Sequence, residues 1–396
     1  MPESRSRFAS PLVAAAFLMA TSAIGPGFLT QTAVFTSQLK ASFGFVILVS
    51  VLLDIGIQLN IWRVLSVSGL HAQDLANRVF PGAGHLLTIM VVGGGLAFNI
   101  GNLAGAGLGL NVLSGIPVEQ GAAISAVVAL NIFLWRHAMG WMDGLARILG
   151  VLMLGLTLYV VFSSRPPLGQ ALAGTLMPEQ IDFRAILTLV GGTVGGYISF
   201  AGAHRLLDAG KTGPAHLAEV SRSAVMAIIL ASAMRILLFL AALGVVTKGL
   251  ELATGNPAAS VFQISVGPMG YRIFGIVMWS AAITSVVGST YTSISFLKTL
   301  HPVFGSRQKL WVIIFIAISA LVFLWVGQPV KTLVLVGLIN SFTLPLALAI
   351  ILVAAHRVSL VGGYRHPRWM TILGIMVVAA TLWFGLYTVW KSVFGG

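Results

Sequence analysis

Apolar residues in this chain neither alternate nor recur every third or fourth position. They run in long blocks, broken by short polar stretches. Eleven blocks, at 11–39, 43–65, 84–112, 118–135, 145–163, 184–206, 222–247, 266–297, 310–327, 331–355 and 369–390, predict eleven membrane-spanning helices, spans 1 to 11. About 20 mainly apolar residues are needed to cross a hydrocarbon layer about 30 Å thick. The connections collect Pro, Asn and charge, as in Arg165-Pro166-Pro167 and Thr254-Gly255-Asn256-Pro257, and none is long enough to form a soluble domain. Residues 1–10, with Glu3, Arg5 and Arg7, read as a short cytoplasmic segment before a retained first span. The apolar run that follows is too long for a signal peptide and lacks a small-residue cleavage site.

Composition supports this all-α, integral membrane reading. The 396 residues are 57% hydrophobic and 8% charged, against about 25% charged in a soluble domain. Mean hydropathy is +0.97. So few charges cannot cover a surface in water, so the lipid bilayer is the expected solvent. With no Cys, disulfides and thiolate metal sites are excluded. The net charge of +13 does not imply nucleic acid, because the basic residues are spread over the connections. With the N-terminus in the cytoplasm, 15 of the 23 basic residues fall on cytoplasmic segments and seven on outer ones, with Arg235 inside a span. That bias predicts N-terminus in, C-terminus out, in a bacterial cytoplasmic membrane. A monomer is expected. No P-loop, zinc motif or catalytic constellation occurs, so no enzyme activity, cofactor or metal site is predicted; the expected partner is a small-molecule substrate.

Two spans are interrupted in matching ways. Span 1 carries Ala23-Ile24-Gly25-Pro26-Gly27-Phe28 within its apolar run, and span 6 carries Gly191-Gly192-Thr193-Val194-Gly195-Gly196-Tyr197. Gly and Pro together break a helix, and lipid tolerates freed backbone only where protein or a water-filled cavity satisfies it. The breaks lie five spans apart, one in each half of the chain, a pattern that points to a transporter site. Gly101, Gly105 and Gly109 in span 3 read instead as close helix packing.

At these positions the chain resembles the NRAMP family of divalent-metal transporters. That resemblance implies a leucine-transporter-like 5+5 inverted repeat: spans 1–5 over 11–163, spans 6–10 over 184–355, and span 11 at 369–390. Gly25-Pro26-Gly27-Phe28 stands where the family carries Asp-Pro-Gly-Asn, and Gly192-Thr193-Val194-Gly195-Gly196-Tyr197 where it carries Ala-Thr-Val-Met-Pro-His. Residues 109–117, 340–345 and 73–76 match further family segments in order. The family holds its metal with the Asp and Asn of span 1 and the Met of span 6; those positions are Gly25, Phe28 and Gly195 here. The span 6 His becomes Tyr197, and a pair of span 3 acids tied to proton transfer becomes Asn99 and Asn102. Hard cations want oxygen ligands, preferably carboxylates, and Asn carries no titratable proton. Metal ligation and the proton route are lost together while the helix-breaking glycines remain.

The residues left around the breaks are neutral. Thr21, Ser22, Gln31, Thr32, Thr193, Tyr197 and Ser199 accompany Gly25, Pro26, Gly27, Phe28, Gly195 and Gly196, and Asn99, Asn102, Asn340, Ser341 and Thr343 are expected to approach from spans 3 and 10. Such a lining suits a small polar organic solute, although Ser and Thr in a helix often bond back to their own carbonyls. Asp54, deep in span 2, and Arg235, deep in span 7, are either a structural pair or a coupling site. The leading reading is a secondary transporter of an organic solute. The alternatives are a divalent-cation transporter with an unusual site and a receptor that binds without transporting.

Overall fold

The computed structural model describes residues 19–20, 23–134, 138–298 and 300–394, with side chains at 138–147 and 391–394 outside that description. Residues 1–10, the start of span 1, Thr21 and Ser22 therefore lie outside it. Among the described residues the chain is helical throughout. Eight stretches are long and apolar enough to cross a bilayer, nine with the bent pair Ile148–Ser164 and Leu168–Leu176. Together these hold ten of the predicted spans, because Pro26–Ser68 runs spans 1 and 2 together; the remaining one, span 4, is the 17-residue apolar helix Val118–Leu134.

Span 1 resumes after its break as Pro26–Leu39, and span 2 is Phe43–Ser68. A short helix, Ala72–Val79, precedes span 3 at Ala83–Ser114. Span 5 is Ala138–Ser164, and span 6 is split into Phe183–Thr193 and Ile198–Asp208. Span 7 is Leu217–Val246 and span 8 Pro257–Leu297. Span 9 is Gln308–Val326, span 10 is split into Pro329–Ser341 and Thr343–Ala355, and span 11 is Arg368–Phe394. Pro26, Pro257 and Pro329 each open a helix, where the missing N–H has no intrahelical partner to lose.

Three features go beyond the hydropathy pattern. Span 8 begins nine residues before its predicted start: Asn256 caps it by accepting from Ala259 N–H at 3.2 Å, and the earlier segment bends at Gly267-Pro268. Arg165-Pro166-Pro167 turns the chain by 106° into the helix Leu168–Leu176, which is too short to stand out as an apolar block. Span 10 has an irregular turn at Phe342, where the backbone stays helical (φ −70°, ψ −17°) and Pro345 has no N–H to bond Ser341 O.

Packing divides the bundle. Span 2 packs on spans 6, 7, 10 and 11, while span 3 packs along span 8 and against spans 4 and 9. Buried apolar side chains form two clusters that share spans: span 7 gives Ile228 to one and Met234 to the other, and span 3 gives Phe98 and Leu103. Span 1 feeds both: Ala23, Phe35 and Leu39 go to the first, Phe28, Leu29 and Ala33 to the second. The small residues of span 3 pack as expected; a Cβ on Gly105 would collide with the ring of Pro26, and one on Gly109 would sit 2.7 Å from the Trp279 backbone nitrogen.

Between spans 10 and 11, Tyr364 and His366 tie back to span 2. The Tyr364 hydroxyl meets His366 Nδ1 at 3.0 Å, His366 Nε2 meets Asn60 Oδ1 at 2.9 Å, and Arg63 Nε donates to the Tyr364 hydroxyl at 3.2 Å. Burial, then the neighbouring His356 and Arg63, push His366 down to about 4 from its ordinary 6.5.

Two outcomes follow. Replacing Gly105 by Ala should cost about 1–3 kcal/mol through overpacking against Pro26, read as a lower melting temperature in detergent. Gly93→Ala, where a Cβ meets nothing within 4 Å, should not destabilise. As pH falls from about 6.5 to about 4, an unfolded chain protonates His366 while the folded one refuses the proton. Stability should therefore drop through that window, and His366→Gln should flatten the slope.

Candidate functional site

The two predicted breaks come together. Gly25 ends the first piece of span 1 in extended backbone (φ −100°, ψ −176°) and caps Pro26–Leu39 without a side-chain hydrogen bond. In span 6 the chain leaves the helix at Val194, and Gly196 takes φ +54°, a left-handed value that glycine reaches without steric cost. Between the breaks lies a small cavity of about 10 Å³, lined by Ala23, Gly25, Gly27, Phe28, Gln31, Phe98, Gly101, Asn102, Gly192, Leu333 and Val336. That is room for about one water, so this conformation is closed around its site.

The polar atoms at the cavity are neutral and partly unpaired. Gln31 donates from Nε2 to Leu333 O at 2.9 Å and leaves Oε1 free; Asn102 Nδ2 and Ser285 Oγ also lack partners. A Cβ on Gly25 would lie 3.2 Å from Ser285 Oγ and 3.6 Å from Asn102 Oδ1. A side chain at position 25 would thus point straight at these two groups.

Several predicted residues frame the site instead of lining it. Asn340 donates from Nδ2 to Gly94 O at 3.2 Å and Val336 O at 2.8 Å, and Thr343 accepts from Gly196 N–H at 3.1 Å while donating to Asn340 O at 2.7 Å. This set holds the span 6 break against the span 10 turn. Asn99 is engaged elsewhere: its Nδ2 donates to Thr290 Oγ1 at 3.0 Å and its Oδ1 accepts from Ser289 Oγ at 2.7 Å, which staples span 3 to span 8. The Thr32 hydroxyl bonds back to Phe28 O, and Ser199 to Val194 O and Gln58 Oε1. Pro26 packs on Gly105, while Gly195 sits against the carbonyls of Gly191 and Asn340. Tyr197 is buried edge-on to Phe98 at 5.4 Å, its hydroxyl unpaired.

Asp54 and Arg235 reach the same place without a direct ion pair. Arg235 Nη1 donates to Thr193 Oγ1 at 3.0 Å, and its Cζ lies 4.1 Å from the centre of the Phe28 ring, a cation–π contact worth about 2 kcal/mol when desolvated. Asp54 interacts with both Thr193 and Arg235. The Thr193 hydroxyl accepts from Arg235 and donates its own proton to Leu189 O at 2.8 Å.

At the far end of span 6, His204 is buried, accepts from Ala72 N–H at 3.2 Å and stacks on Phe296 at 5.1 Å. It latches the half-helix to the short helix Ala72–Val79. His71, by contrast, meets Asp208 at 3.3 Å near the surface. The side chains of Asp143 and Arg147 in span 5 lie outside the described residues.

Sequence reasoning missed Ser285, Gly192, Phe98, Leu333 and Val336. Ser285 had a signal: the run Thr284-Ser285-Val286-Val287-Gly288-Ser289-Thr290 puts hydroxyls at positions 285 and 289, one turn apart on one helix face. Leu333 and Val336 had none, because an apolar residue in a span gives no hint of which face meets a cavity.

An all-helical bundle with paired broken spans around a small internal site defines an integral membrane transporter of the leucine-transporter-like architecture. The chain belongs to the Nramp family, the natural resistance-associated macrophage protein-like family, whose model matches residues 16–391. It is 56% identical to the uncharacterized membrane protein YcsG of Bacillus subtilis (strain 168) over 379 residues, covering 96% of this chain and 94% of that one. Among solved structures it resembles the Eremococcus coleocola manganese transporter, with a TM-score of 0.78, 17% identity, and coverage of 100% of this chain and 90% of that one. It also resembles MhsT in complex with L-phenylalanine, with a TM-score of 0.66, 17% identity, and coverage of 95% and 97%. At such identities these likenesses establish the fold.

Because Thr193 supplies an acceptor to a buried guanidinium, Thr193→Val should cost about 1–3 kcal/mol for the abandoned donor, measured by thermal melting in detergent, and Thr193→Ser should recover most of it.

Proposed function

We propose that this protein is a secondary transporter of a small polar organic solute, working by alternating access in a bacterial cytoplasmic membrane with its N-terminus inside. The observation that carries this reading is the chemistry of the break. Gly25, Phe28 and Gly195, where the resemblance puts the family's metal ligands, offer no donor side chain, and the polar side chains lining the cavity are the amides of Gln31 and Asn102, with the Ser285 hydroxyl beside Gly25. A dication stripped of water wants carboxylates; amides and hydroxyls beside the aromatic face of Phe28 suit a neutral or weakly charged organic group. Among the described residues no group of three or more His, Asp or Glu side chains converges. The span 3 positions also support a change of coupling: Asn99 is committed to Ser289 and Thr290. The excess of basic residues on one set of connections supports the orientation.

Reconstituted into proteoliposomes, the protein should show no saturable Mn²⁺ uptake and saturable uptake of an organic solute, abolished in Gly25→Leu, whose side chain fills the cavity. Saturable Mn²⁺ uptake lost in the same variant would establish a cation transporter with an unusual site instead. Ligand binding without flux would establish a receptor.

A further inference from the structure

Two buried charges stand beside the break, and neither is used up by the other. Arg235 is 2% exposed and Asp54 1%. Taking an ion out of water costs several kcal/mol, offset only when its hydrogen-bonding capacity is met. Yet Arg235 Nε and Nη2 have no acceptor, and Asp54 Oδ1 has no donor. Nε and Nη2 share one edge of the guanidinium plane and present parallel N–H groups, the fork that a carboxylate accepts in bidentate fashion. Phe28 links this edge to the break, since its ring both carries Arg235 and lines the cavity. From the span 1 side, the helix Pro26–Leu39 opens at Gly25 with no side-chain cap, so its positive end also faces the cavity.

We propose that the site binds the single carboxylate of a small organic acid on the Nε/Nη2 edge of Arg235 and takes up one proton on Asp54 as it does so. This rests on the organic-solute reading above and narrows it. With both groups ionised the empty site is neutral, one guanidinium against one carboxylate. An entering carboxylate leaves an uncompensated negative charge in a lipid-enclosed site, and a proton on Asp54 restores neutrality. Of spans 6, 7, 10 and 11, which pack on span 2, span 7 supplies the charged group acting on Asp54, namely Arg235, and span 6 the neutral Thr193. Proton coupling would thus run through Asp54, although Asn99 and Asn102 replace the acids of span 3. Access runs past Phe28, which must swing aside for the ligand to reach the free edge.

The test is a thermal-shift titration of the purified full-length protein in detergent. The probes are small monocarboxylates (acetate, lactate, benzoate), their neutral amides, and MnCl₂. Acids should stabilise the wild type and their amides should not. Apparent affinity should tighten by about tenfold per unit fall in pH while Asp54 and the ligand are both ionised, as linkage to one proton requires. Arg235→Lys keeps the charge and loses the fork, and should weaken acid binding about tenfold or more. Asp54→Asn should keep acid binding and lose its pH dependence. If either variant fails to fold, the acid–amide comparison and the pH series on the wild type decide alone. Acids no better than amides, acid binding unchanged in Arg235→Lys, or a pH dependence surviving in Asp54→Asn would overturn the proposal. Stabilisation by neutral amides alone overturns it and leaves the organic-solute reading standing; stabilisation by MnCl₂ alone overturns both.

Discussion

Hydrocarbon offers no hydrogen bonds, so a helix interrupted inside a bilayer must have its freed N–H and C=O groups satisfied by the protein itself. The rest of this structure depends on that constraint. The span 6 break survives because Gly196 N–H is taken by Thr343, whose hydroxyl passes the bond on to Asn340 O. Asn340 then reaches to Gly94 on span 3. One short chain of polar groups thus ties spans 6 and 10 to span 3. On the span 1 side, Gln31 bonds to Leu333 O of span 10. The breaks sit where these partners can meet, and so does the cavity.

The same constraint explains why the site lies between two packed clusters. Both are apolar, and spans 1, 3 and 7 contribute to each. A seam between two packed clusters is where backbone can be left irregular without exposure to lipid, and where relative motion opens or closes a site. Here the seam is closed to about the size of one water. Phe28 sits on it, with the buried Arg235 above its ring.

Family membership and site chemistry pull in different directions, and the difference is physical. The fold is that of a metal carrier's family, but the scaffold is held by backbone-satisfying groups such as Asn340 and Thr343, which are separate from the groups that face a substrate. Positions 25 and 28 can therefore change without unravelling the breaks. Position 195 is the exception, since a Cβ there would lie 2.5 Å from Gly191 O and 2.8 Å from Asn340 O, so the packing of the break itself holds it to glycine. Asn99 illustrates the same separation: its amide now joins spans 3 and 8 with Ser289 and Thr290.

The membrane class, the spans and the breaks at Gly25 and Gly195-Gly196 were legible in the sequence. Each is a local property: the length of an apolar run, or the inability of Gly and Pro to continue a helix. The interruption at Phe342 and the helix Leu168–Leu176 do not show in the hydropathy pattern, although prolines mark both: Pro345 has no N–H for Ser341 O, and Pro166-Pro167 turn the chain by 106°. Within the site, Asn102, Gln31 and Phe28, expected beside a substrate, line the cavity. Sequence placed Asn99 and Asn340 with them because an amide's role depends on which acceptor lies opposite. It proposed Asp54 and Arg235 as partners from their depth in spans 2 and 7, and tertiary structure alone gave the Arg235 guanidinium Thr193 and the Phe28 ring as its contacts. The sequence by itself determined where helices run and where they must fail, since those follow from bonds within one stretch of chain. Which side chains face the cavity and which brace the bundle was decided only by tertiary structure, because that depends on the rotation of each helix against its neighbours, which hydropathy spread around a whole span does not encode.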